Sequence, residues 1–129
     1  MRFFCYTLGD ENVPMPPPDP AEMAVMGAFI GEARTAGVLV ETGGFAPTSD
    51  AVKVVYNGPG SFKVTDGPFA EAKELIGGWA LIETKSKEEA VGWAKRFLAI
   101  VAIPGAESRI RQVFGPDDFG PADFGPAGG

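Results

Sequence analysis

Val64-Thr65-Asp66-Gly67-Pro68-Phe69-Ala70-Glu71-Ala72-Lys73-Glu74-Leu75-Ile76-Gly77-Gly78-Trp79 sets a sharp turn, four charges and two aromatics between two apolar strands. The turn has a physical basis: Gly67 opens positive φ, Pro68 fixes φ and lacks an N–H, and Asp66 can accept from backbone amides beyond it. Upstream, Ala51 to Tyr56 reads as a strand with Val52, Val54 and Tyr56 on one face, and Asn57-Gly58 is a favoured hairpin turn that Pro59-Gly60 lengthens before Ser61 to Thr65. Downstream, Trp79 to Thr84 is a strand apolar on both faces. The stretch therefore joins a hairpin to a doubly covered strand.

Earlier in the chain, Phe4, Tyr6 and Leu8 alternate with Phe3 and Cys5, so Arg2 to Leu8 is a central strand with two apolar faces. Pro14, Pro16, Pro17 and Pro18 make the following segment an extended loop. Asp19-Pro20-Ala21-Glu22 opens a helix as a capping box with proline in its first position. Met23, Met26, Gly27 and Ile30 share a face of that helix, and Gly37 stops it. Val38 to Glu41 starts a strand that Gly43-Gly44 breaks. After Thr84, Ser86 to Glu89 forms a second capping box, with Ala90, Ala94, Phe97, Leu98 and Val101 in one stripe and Pro104-Gly105 ending the helix. Arg109 to Phe114 is the last strand. Strand, helix, two or three strands, helix, strand is a βαββαβ plan, an α+β fold of the ferredoxin-like kind.

The 129 residues fit one domain, assigned to 1–114, and a tail over 115–129; from the end of the domain onward Phe-Gly-Pro recurs at 114, 119 and 124. A net charge of −6 and a pI near 4.6 offer no cationic face to a phosphate backbone, so nucleic acid is not an expected partner. No apolar run approaches the ~20 residues that cross a bilayer, and the N-terminus lacks the plan of a signal peptide, so a cytoplasmic protein without a membrane partner is expected. The chain has no histidine and one cysteine, which excludes Ser-His-Asp and Cys-His catalysis. With only oxygen ligands left and no calcium-loop spacing, neither a metal nor a cofactor is expected. Cys5, inside an apolar run, reads as a small core hydrophobe.

Asp66-Gly67-Pro68-Phe69-Ala70-Glu71-Ala72-Lys73-Glu74, then Gly78-Trp79 and Ala90-Val91-Gly92-Trp93-Ala94, resembles the YCII-related family in its DGPF subgroup. The resemblance runs to Ile110-Arg111-Gln112-Val113-Phe114 and the Asp118-Phe119-Gly120 after it. It implies a dimeric α+β barrel built on the ferredoxin-like fold. It implies little chemistry, since most DGPF proteins have no assigned activity, and many are encoded near extracytoplasmic-function sigma factors. Some YCII-like relatives look like lyases with a His–Asp dyad, which a chain without histidine does not carry.

Candidate ligand-binding residues are Asp66, Phe69, Glu71, Lys73 and Arg111. In one reading they border a cleft in which a small ligand binds and Lys73 and Arg111 are available to an anionic group. In the other, Asp66 caps the turn and Glu71, Lys73 and Glu74 are a solvated face. Arg111, inside an apolar strand, needs a carboxylate such as Asp66 or a bound anion. Three functions stay open: a small dimeric binding module, a lyase or isomerase using Asp66 or Glu71 as base, and a structural or interaction protein. A homodimer is expected on physical grounds too, because two helices cover one sheet face and the strands at Phe3 to Leu8 and Trp79 to Ile82 are apolar on both. The tail can bury only isolated phenylalanines. Truncation after Gly120 should therefore lower the melting temperature by no more than about 4 °C in a calorimetric scan; a much larger drop would mean that the tail is packed.

Overall fold

A computed structural model of the protein describes residues 1–9, 19–68 and 75–118. Its centre is β1 (Arg2–Gly9), hydrogen-bonded on one side to β5 (Leu75–Glu83) and on the other to β6 (Glu107–Val113), with β2 (Leu39–Gly44) beyond β5. All three pairings are antiparallel. Helix α1 (Pro20–Thr35) carries the chain from β1 to β2 across β5, and α2 (Lys87–Val101) carries it from β5 to β6 across β1. Two such split crossovers give the α+β, ferredoxin-like order expected from the sequence.

The strand period of two separates the faces of β1. Phe3 is 2 % exposed and packs with Val38, Ile82 and Ala90, while Cys5, Ala80, Trp93 and Ile110 lie against that cluster. Phe4 and Tyr6 point the other way, where the Phe4 ring lies 5.8 Å from Tyr6 and stacks at 5.9 Å on Trp79. Both helices pack on the Phe3 side.

Helix α1 begins as expected: the Asp19 carboxylate accepts from the Glu22 amide at 2.8 Å and the Glu22 carboxylate accepts from the Asp19 amide at 3.3 Å. It stops at Gly37, whose φ of +74° suits glycine. At α2 the Ser86 hydroxyl accepts from the Glu89 amide, but the Glu89 carboxylate returns to the amide of Lys85 rather than to that of Ser86, so the second box is displaced by one residue. The stop of α2 also differs from expectation. Ala102 takes the left-handed conformation and donates to the Leu98 carbonyl, two residues before Pro104 is reached.

Gly43 and Gly44 do not break β2 but belong to it. A Cβ at Gly43 would lie 3.0 Å from Trp79 Cζ2, so glycine there gives the neighbouring indole its room. The hairpin of β3 (Val52–Gly58) and β4 (Ser61–Asp66) forms a sheet of its own. Its tight turn is Pro59-Gly60 rather than Asn57-Gly58: Gly58 pairs with Ser61, Asn57 is the extra residue of a bulge, and Gly60 supplies a φ of +72° after a φ-restricted proline. Gly67 is not in the positive-φ region either. It is glycine for lack of space, since its amide donates to the Ala51 carbonyl at 2.7 Å and a Cβ would stand 2.0 Å from the Thr48 carbonyl oxygen.

Opposite effects are expected at two glycines. Gly67→Ala must move backbone and should cost about 1–3 kcal/mol in urea unfolding. Gly92→Ala, in α2 with nothing within 4 Å of the new methyl, should add about 0.5–1 kcal/mol.

Candidate functional site

Away from Phe3, the layer between sheet and helices is hollow. A cavity of about 170 Å³ lies there, with Cys5, Thr7, Gly78, Ala80 and Ser108 on the sheet side and Met26, Phe29, Ala33, Trp93, Ala94 and Phe97 on the helix side. Small residues explain it: the inward positions of β1, β5 and β6 run from Phe3 and Ile82 to Cys5 and Ala80, then to Thr7, Gly78 and Ser108. Ala33 and Ala94 face them from the helices, so neither wall fills the gap.

The roof is tied across the two helices. Phe29 of α1 and Trp93 of α2 approach to 5.8 Å, and the Arg96 guanidinium lies over both rings, 5.2 Å and 4.8 Å from their centroids. Arg96 also pairs with Glu32. Such cation–ring contacts hold the aromatics in place over the space below.

Polar groups at the sheet end are mostly satisfied internally. The Thr7 hydroxyl accepts from the Gly78 amide at 2.9 Å and donates to the Gly78 carbonyl at 3.4 Å, closing the bulge where β5 slips against β1 between Tyr6 and Leu8. The Thr42 hydroxyl donates to the Trp79 carbonyl. Ser108 brings a hydroxyl with no side-chain hydrogen bond among the described residues. The walls thus suit an apolar guest with at most one polar contact. They contain no carboxylate and no histidine, and among the described residues no group of three or more His, Cys, Asp or Glu is placed to hold a metal. No helix among them is long and apolar enough to cross a membrane.

The residues expected to bind ligand are not assembled at this cavity. Asp66 ends β4, exposed and opposite Val52; Arg111 is exposed in β6, opposite Phe4 on the sheet face away from the helices. Neither lines the cavity, and they stand on different sheets. Phe69, Glu71 and Lys73 lie outside the described residues. Sequence reasoning missed Phe29, Trp93 and Ala33, although Phe29 follows Met26 by three and Trp93 follows Ala90 by three, spacings that place each pair on one helix face.

Cys5 lies in the cavity wall, and burial pushes its thiol from 9.0 up to about 11, so it is a neutral, unreactive thiol near neutral pH. The folded state holds this proton more tightly than the unfolded state does. The associated stability is present below 9.0, is lost as pH rises toward about 11, and changes no further above that. Urea unfolding at about pH 8 and about pH 10.5 should show the stability of the native chain falling relative to Cys5→Ala; an unchanged difference would contradict the burial.

No curated protein is a significant match to the chain. The family model of the YCII-related domain matches residues 1–110, from Met1 into β6. Since that span takes in both helices, the cavity walls and the hairpin, the chain belongs to the YCII-related family.

Proposed function

We propose that this YCII-related chain is a small dimeric binding module of the DGPF subgroup that takes a small, mainly apolar molecule between its helices and its sheet. The observation that carries the reading is the cavity. At about 170 Å³ it is close to the ~150 Å³ of an engineered apolar cavity that stays dry and binds benzene or xenon. We seat the ligand there rather than among Asp66, Phe69, Glu71, Lys73 and Arg111, because the lining is apolar and concave while Asp66 and Arg111 stand in solvent on separate sheets. Walls without a carboxylate or histidine favour binding over proton transfer. Asp66-Gly67-Pro68-Phe69 supports the subgroup. The dimer is supported by the sheet face away from the helices, where Phe4, Tyr6 and Trp79 form one aromatic cluster that no helix among the described residues covers.

Benzene and indole are suitable probes. Saturating indole should raise the melting temperature of the full chain, with a stabilisation of about 2.7 kcal/mol at a hundredfold excess over Kd, and benzene should change the tryptophan emission through Trp93. Ala94→Leu should fill the space and abolish both responses while the variant still melts cooperatively. Absence of any response in the native chain up to the solubility of both probes would overturn the reading.

A further inference from the structure

We propose that the β3–β4 hairpin is an arm that clasps a second copy of this chain, laying its apolar face along the edge of the partner's uncovered sheet with Asp66 against the partner's Arg111. This rests on the reading above that two copies meet through their sheets. The hairpin's register puts Val52, Val54 and Tyr56 on the same face as Asp66, Val64 and Phe62. Its five apolar members are 56 %, 61 %, 63 %, 63 % and 62 % exposed for Val52, Val54, Tyr56, Val64 and Phe62, so the single chain leaves this whole face to water. A lone two-stranded hairpin is marginal in water and needs a surface to pack on.

Area and charge identify that surface. With aromatic side chains burying about 150–250 Å² each, one arm offers about 500 Å² of apolar area and two arms about 1,000 Å², a large part of the roughly 1,600 Å² of a standard stable interface. The two sheet faces can supply the remainder. The arm's face ends in a carboxylate, Asp66, and the uncovered sheet face carries a guanidinium, Arg111, beside Phe4. Neither has an ion-pair partner among the described residues, whereas Arg2 on the same sheet face is paired with Glu83. One chain thus carries two apolar faces of complementary charge, which two-fold symmetry joins twice. Nucleic acid does not fit, since Lys53 and Lys63 stand on the opposite face of the arm.

The two ends of the arm are tied to each other: the Gly67 amide is bonded to the Ala51 carbonyl, with the Thr48 carbonyl closely packed beside it. Within the arm, Tyr56 and Phe62 pack at 5.7 Å and present one aromatic pair near its tip. Central, buried aromatics of this kind carry most of the energy of an interface.

Light scattering with size exclusion over a dilution series measures the dimer dissociation constant of the full chain. The double change Tyr56→Asp and Phe62→Asp should raise it about a hundredfold without altering the circular dichroism of the fold, because both rings are exposed in the single chain. Asp66→Arg alone and Arg111→Asp alone should each raise it about tenfold, and the two together should restore it to within about threefold of the native value. A native dimer indifferent to the aromatic changes would overturn the arm and leave the sheet-to-sheet dimer standing. Failure of the charge exchange to restore affinity would overturn the Asp66 contact. A native chain that stays monomeric at tens of micromolar would overturn the dimer itself, independently of indole binding in the cavity.

Discussion

Everything in this structure depends on β1 being central in its sheet and apolar on both faces. A strand hydrogen-bonded on both edges can satisfy its backbone only within the sheet, so its side chains must find cover above and below. Among the described residues there are two α-helices, α1 and α2, and both go to the Phe3 side. There Phe3, Val38, Ile82 and Ala90 make the densest part of the core. On the other side Phe4 and Trp79 stack on each other, half-buried, with no helix among the described residues over them. The alternation of side chains along a single strand is thus the basis of the proposed dimer.

The same strand accounts for the cavity. Side-chain size along its inward positions falls from Phe3 to Cys5 to Thr7, and β5 falls with it, from Ile82 to Ala80 to Gly78. Helix positions over the small end are also small, at Ala33 and Ala94, while Phe29 and Trp93 bridge above them. A packed core of the same fold would need only larger residues at two or three of these positions.

Local chemistry was legible in the sequence, and long-range assembly was not. The Asp19 capping box, the Gly37 stop, the two-sided strand and the order of elements each depend on residues close together in the chain, and each is present. Where the sequence misled, a distant contact decided the outcome. Gly43-Gly44 has the composition of a break, yet it is strand because Trp79, far away in sequence, needs the room. Gly67 is glycine because of the Thr48 carbonyl, not because of its own φ. Asp66 and Arg111 drew attention as charges among apolar residues, but only the register shows that they belong to different sheets. The cavity had no signature along the chain at all: it is the meeting of small residues from three strands and two helices.

Xenon under pressure tests the central claim most directly, because it is apolar, binds cavities of this size and scatters strongly in a crystal. Xenon density is expected between Ala80 of the sheet and Trp93 of the helices, with Phe29 and Trp93 keeping their bridging positions. A crystal in which Phe29, Trp93 or Met26 has moved in to fill the space, with no xenon bound in the helix–sheet layer, would contradict it.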